Sequence, residues 1–196
     1  MATIGNAPVF PTRSVLPGNL TVTGTSATVN GNEVRTVGTS GAIIQVKQSV
    51  EQTRISFGTS LANALTCSIT PSSTSNKILV KCELIWGRSQ DDYGAFWFYR
   101  DDVLISGATA TSGTGNMVNA AGQISNRGNN ASDVYFQQAG AASFLDSPST
   151  TSSTTYQIKA KCTYGSNIFL NSSSNQNNAG HTIHGISSLT LMEVVA

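Results

Sequence analysis

Charge is what this sequence has least of. Asp, Glu, Lys and Arg make up 11% of its 196 residues, well under the usual quarter, and the net charge is +1. Such a chain carries no electrostatic footprint for nucleic acid or for an anionic membrane, and neither is expected as a partner. Cysteine is scarce too: Cys67, Cys82 and Cys162 are an odd number without metal-type spacing. They read as buried thiols acting as small hydrophobes. A Cys82–Cys162 bridge would need their two strands to pair. No apolar run is long enough to span a bilayer. The N-terminal "MATIGNAPVFPTRSVL" lacks a basic stretch followed by an apolar one, so it is not read as a secretory signal. Synthesis and assembly in a cytoplasm are expected, which also argues against a disulfide. Finally, no segment shows convincing helical periodicity.

What is abundant is hydroxyl and amide. Ser and Thr total 49 residues and Asn adds 16, giving a surface that is polar without being charged. Three zones follow. Residues 1–18 hold Pro8, Pro11 and Pro17 among apolar Ile4, Val9, Phe10, Val15 and Leu16. Proline blocks regular ladders, yet a solvated tail needs no such apolar set, so an extended docking arm is expected. Residues 19–41 are rich in Thr, Ser and Gly. Residues 42–196 read as an all-β head.

Period-two alternation carries that last reading. In "KILVKCELIW" the side chains of Ile78, Val80, Cys82, Leu84 and Trp86 share one face, with Lys77, Lys81 and Glu83 on the other. In "TTYQIKAKCTY" the inward set is Tyr156, Ile158, Ala160, Cys162 and Tyr164. Further strands are predicted at 43–50, 54–57, 65–70, 95–100, 103–106, 134–137, 168–170 and 188–195. Turn-rich stretches such as "TPSSTSN", "SGTGN" and "DSPSTTSS" separate them. This spacing predicts a β-sandwich or jelly roll. The final "SSLTLMEVVA" is apolar on both faces, with Leu189, Leu191 and Val195 on one and Met192 and Val194 on the other. Such a strand sits centrally in a sheet or at a subunit interface. Leu189, Leu191, Met192 and Val194 are therefore the candidate interface residues of a trimeric head.

The segment "NLTVTGTSATVNGNEVRTVGTSG" admits three readings. A flexible linker suits its Gly, Ser and Thr, but not Leu20, Val22, Val29, Val34 and Val37 at near-regular spacing. Asn30-Gly31 signals a hairpin, Ser26–Val29 against Asn32–Arg35, within the main domain. In an intertwined shaft, valines from several chains would share one axis and glycines would make the corners. One chain of this composition cannot bury enough to offset its ordering entropy, which favours the shaft.

Chemistry is harder to find. His181 and His184 could offer two metal ligands, but positions three apart on an extended segment face opposite sides. Asp91, Asp92, Asp101 and Asp102 could bind Ca²⁺ or serve as a glycosidase pair. Asp101-Asp102, between "AFWFYR" and "VLIS", reads better as a hairpin turn. No nucleophile triad, phosphate loop or dinucleotide fingerprint is present. Neither enzyme activity nor a cofactor is expected. The aromatic run Tyr93, Phe96, Trp97, Phe98 and Tyr99 splits by alternation, Phe96 and Phe98 to one side, Trp97 and Tyr99 to the other. Core or interface is the expected place for both sets, and receptor contact is expected on the loops 108–130 and 171–181.

The run "NLTVTGTSATVNGNEV" resembles the short shaft repeats of tailed-bacteriophage fibre proteins, and "APVFPTRSVLPGNLTVTG" resembles their attachment segments. "GAIIQVKQSV", "ITPSSTSNKILVKCEL" and "SFLDSPSTTSSTTYQIKAKC" resemble a β-domain of virion appendages, especially those of phages of marine and cyanobacterial hosts. The resemblance implies a homotrimeric virion protein with an anchoring arm, a short intertwined β-shaft and a jelly-roll head broadly similar to tumour-necrosis-factor-like trimers. It implies other tail or capsid proteins as partners, and a host surface glycan as a further one. The shaft is short for a host-reaching fibre, which keeps a capsid decoration protein open as the alternative. A glycan-binding or polysaccharide-degrading module is the second alternative.

Overall fold

A computed structural model describes residues 27–29, 32–34, 40–88, 92–111, 118–124, 137–175 and 183–196. The chain divides into two units, Met1–Thr39 and Ser40–Ala196. In the first, strands β1 (Ala27–Val29) and β2 (Asn32–Val34) pair antiparallel with Ala27 opposite Val34 and Val29 opposite Asn32. This is the register of the hairpin reading, with Asn30-Gly31 between the strands in sequence. The hairpin does not belong to the main domain, as that reading had it, because it falls in the separate first unit. Of the expected shaft residues, Val29 and Val34 lie on these strands. Leu20, Val22 and Val37, and all the arm residues Ile4, Val9, Phe10, Val15 and Leu16, lie outside the described residues.

The second unit is all-β and consists of two antiparallel sheets. In chain order its strands are β3 (Ile43–Glu51), β4 (Ile55–Phe57), β5 (Ala62–Ile69), β6 (Lys77–Arg88), β7 (Tyr93–Arg100) and β8 (Val103–Leu104). They continue with β9 (Gly122–Ile124), β10 (Gln137–Asp146), β11 (Thr154–Tyr164), β12 (Ile168–Leu170) and β13 (Ser187–Val194). The first sheet runs β3-β13-β6-β12-β4, with β10 on the other side of β6; the second runs β5-β11-β7-β8, with β9 also on β7. A single 3₁₀ turn, Ser106–Ala108, is the helical content among the described residues. The alternation of β6 is realised as read: Ile78, Val80, Cys82, Leu84 and Trp86 enter a core shared with Phe96, Phe98, Tyr156, Ile158, Leu189 and Leu191 of other strands. Two apolar faces meeting this way remove most of the head's hydrophobic surface from water.

Two expectations need correction. Tyr164 is not inward but 69% exposed. The β11–β7 register shifts between Cys162 and Tyr164, and this bulge breaks the alternation just before the strand ends. The strand expected at 134–137 is instead β10, a ten-residue strand beginning at Gln137. Its "QQAGAASFLD" is short on β-branched residues, so local propensity hid it; pairing with β6 along its whole length makes it a strand.

The sandwich is tied by two polar nodes. Across the sheets, Asp146 on β10 accepts hydrogen bonds from Arg100 Nη1 on β7 and Tyr156 Oη on β11, both at 2.6 Å to the same oxygen. Burial, with Asp146 adding to it, pushes the Tyr156 phenol up, so it stays a donor. Within the first sheet, Asn171 is completely buried and holds a left-handed φ of 62°, which asparagine tolerates. Its Nδ2 donates to the carbonyls of Glu51 (2.8 Å) and Thr53 (3.0 Å), and its Oδ1 accepts from Ser187 Oγ (2.6 Å). Its backbone N–H donates to Ile85 O, while Ile85 N–H donates to Ser187 Oγ. Gly87 leaves room for the chain to pass over β6 here, since a Cβ on it would lie 2.7 Å from Ser173 Cα. Replacing Asn171 with Leu takes the donor from two partly buried carbonyls and the acceptor from the buried Ser187 hydroxyl. It should lower the unfolding free energy by about 2–4 kcal/mol in urea titration, and a change below about 0.5 kcal/mol would show the node to be dispensable.

Candidate functional site

Three of the aspartates singled out from sequence, Asp92, Asp101 and Asp102, are used by the fold. Asp101 and Asp102 adopt φ of 48° and 64°, a two-residue turn between β7 and β8. Asp101 Oδ1 accepts from Thr155 N–H at 2.8 Å, and Asp102 Oδ1 accepts from Gln157 Nε2 (2.9 Å) and Lys159 Nζ (2.7 Å). The Lys159 ammonium beside it, then the Gln157 amide, hold the Asp102 carboxyl below its ordinary range. Asp92 is buried and closes the 164–167 turn by accepting from Ser166 N–H and Asn167 N–H, both at 2.9 Å. Asp91 and His181 lie outside the described residues, and His184 is exposed. No group of three His, Cys, Asp or Glu that could hold a metal occurs among the described residues.

Glu193 is not among the residues singled out from sequence. Its side chain is fully buried on the inner face of β13 and ties the turn after β5 to that strand. Oε1 accepts from Ser72 N–H (2.6 Å), Ser72 Oγ (2.7 Å) and Asn76 Nδ2 (2.7 Å). Burial alone would raise its pKa, but these hydrogen bonds together bring it below the usual 4.5. The sign follows: the carboxylate's contribution is complete above pH 4.5 and is lost as pH falls through the lowered value.

The three cysteines are free and buried, as expected. Cys82 and Cys162 stand in different sheets, on β6 and β11, so the strands that would have to pair do not. Burial pushes the Cys82 thiol up from 9.0 to about 11.

The expected interface strand divides by face. Leu189 and Leu191 are fully buried in the chain's own core and cannot meet a partner, which corrects their assignment to a trimer interface. The reason is that β13 lies between β3 and β6 with its inner face over the second sheet. Met192 and Val194 point the other way and are only half-buried. Met192 sits opposite Val46 on β3 and Leu79 on β6, and Leu79 sits opposite Leu145 on β10. These four make an apolar row across four strands, with Val46 56% and Leu145 50% exposed. Beside it, Val194 pairs with Ile43, which is 54% exposed. Among the described residues the outer edge of β3 has no partner strand.

The aromatic run also divides. Phe96 and Phe98 pack edge-to-face in the core, their ring centroids 6.3 Å apart. Trp97 and Tyr99 lie on the outer face of the second sheet under Lys161 and Lys159, whose ammonium groups stand 5.8 and 4.6 Å from the ring centroids. Trp97 is only 7% exposed, and its Nε1–H donates to Asn119 O at 2.7 Å. It is neither in the core nor an open platform, because Lys161 and the segment before β9 cover it. Beyond it, on the same face, lies a groove of about 620 Å³ along β7, β9 and the end of β11. Tyr93, Ala95, Gln123 and Tyr164 line it, with Val118 and Ala120 from the segment before β9, and among the described residues no lining side chain is charged. Ala110, Val118 and Ala120 of the 108–130 loop thus line this groove. In the 171–181 segment, by contrast, Asn171, Ser172 and Ser173 are fully buried against the first sheet, which removes them from the surface expected to recognise a receptor.

Comparison of the sequence with protein-family models and with curated proteins gives no match.

Two measurements check the polar and thiol assignments. In the folded chain all three thiols should resist maleimide at pH 8 and react promptly in guanidinium; fast native labelling of Cys82 would contradict its burial. Stability should decline below pH 4.5, and Glu193→Gln should flatten that decline; an unchanged acid limb would mean that other carboxylates govern it.

Proposed function

We propose that the chain is a structural virion protein of a tailed bacteriophage: a short homotrimeric tail fibre or appendage, without catalytic activity. In this reading residues 1–18 anchor it to other tail or capsid proteins, the β1–β2 hairpin belongs to a short stalk, and the second unit is a jelly-roll head. The resemblance of the arm, stalk and head segments to fibre proteins supports it. The observation that carries it is the row Val46, Met192, Leu79 and Leu145, an apolar surface that the described residues leave partly open to water, beside an edge of β3 with no partner strand among them. An uncovered edge strand flanked by such a row calls for a covering chain. Other copies of the same chain are the occupant the reading supplies. Three linked heads would then bind repeated surface groups with avidity. Decoration of the capsid shell is the alternative, and labelling of particles separates the two by position.

The purified chain should have the mass of a trimer by light scattering at micromolar concentration. Val46→Asp combined with Met192→Asp should reduce it to a monomer with an unchanged far-ultraviolet β spectrum. A wild-type chain that stays monomeric across the accessible concentration range would end the proposal.

A further inference from the structure

The groove on the second sheet is built as a binding site in its own right. Its wall is held by backbone bonds: Ala110 N–H donates to Ala120 O at 3.1 Å and Ala121 N–H to Phe96 O at 3.0 Å, beside the Trp97–Asn119 bond. Its floor is the outer face of the β11–β7–β9 ladder, so the shape is present before any ligand arrives. A volume of about 620 Å³ falls within the range of small-molecule sites, roughly 300–1,000 Å³.

The chemistry of the lining narrows the occupant. With no charged side chain among the described residues of the lining, an anion or cation would lose its hydration without a counter-charge there. An extended peptide gains most of its affinity by adding a strand to an open edge. Here the β7 floor is already paired with β11 on one side and β9 on the other, so it offers no open edge for that mode. What the groove offers is ring faces, phenol hydroxyls and one amide. Tyr93 and Tyr164 pack edge-to-face with centroids 5.8 Å apart and an interplanar angle of 77°, which holds Tyr164 in place although it is 69% exposed. Gln123 stands exposed on β9, opposite Ala95, and supplies a donor and an acceptor at the side of the groove. A ring with an apolar C–H face and a rim of neutral hydroxyls matches this set.

We infer that the groove is a binding site for a neutral saccharide, stacked on Tyr164 and hydrogen-bonded by Gln123. The site rests on the reading of the chain as an attachment head and names the ligand class that head would take. The β11 bulge that turns Tyr164 outward is what creates it, since an unbroken strand would have carried that ring into the core.

The test is saturation-transfer NMR on the full-length chain with glucose, galactose, N-acetylglucosamine and their β-linked disaccharides, each to about 20 mM, in the weak range expected of a small ligand. At least one should bind. Tyr164→Ala should weaken it about tenfold or more and Gln123→Ala by a few-fold, while Tyr164→Phe should retain most of the affinity. Thermal melting of each variant reports folding separately. Absence of binding to every saccharide, binding indifferent to Tyr164→Ala in a folded variant, or preference for sialylated or sulfated sugars would overturn the site. So would displacement of the signal by a peptide of residues 1–18, which would make the groove a dock for the arm. Mass measurement on the same samples tests the trimer independently, because the apolar row lies on the other sheet.

Discussion

Asn171 is the residue on which the first sheet depends. A short strand, β12, must leave the sheet, reverse and let the chain reach the start of β13 beside β6. At that corner the end of β3, the turn into β4 and β6 present partly buried backbone groups, and the first residue of β13 presents a buried hydroxyl. One side chain with two donors and an acceptor meets three of these groups, and its own backbone meets Ile85 and Gly185. Leaving such groups unpaired away from water costs more than the net gain of any one bond, so the corner depends on this residue. The left-handed φ at this position narrows the choice of residue further. Asparagine and glycine take that conformation easily, and glycine has no side chain to do the bonding.

The Asp146 clasp has a different task. Arg100 and Tyr156 are cross-strand partners in the second sheet, and their common acceptor stands in the first. Apolar packing brings the two sheets together without fixing their alignment, being non-directional. A carboxylate oxygen receiving two short bonds from the opposite sheet does fix it. Glu193 makes a similar tie between β13 and the turn that follows β5. The carboxylates of Asp92, Asp102, Asp146 and Glu193 are thus committed to holding loops and sheets. Two neutral patches are left on the surface, the apolar row on one sheet and the tyrosine groove on the other.

Much of this fold was legible in the chain. Lys77–Arg88 and Thr154–Tyr164 are long and alternate over most of their length, so local preference and burial agree there. The turn at Asp101-Asp102 was legible because acidic residues suit turns, and the pairing of β1 with β2 because Asn-Gly between two short strands signals a hairpin. Gln137–Asp146 was not legible, since alanine and glycine carry no strand preference and only β6 makes a strand of them. Glu193 is one charge in the apolar run "LMEVV", and Asn171 one amide in the polar run "NSSSNQNN". Their partners lie more than a hundred positions away in the chain for Ser72, Asn76, Glu51 and Thr53.

By itself, then, the order of residues determined an all-β head, the inward faces of its two best strands, the free state of its thiols and the want of charge on its surface. These follow from periodicity and composition, which are local. The tertiary structure alone decided which of the apolar residues near the C-terminus are core and which are surface. Leu189 and Met192 have similar chemistry, and only the sheet lying over one face distinguishes them. It also decided that Tyr164 faces outward, because a bulge is a mismatch between two strands and cannot be read from either one.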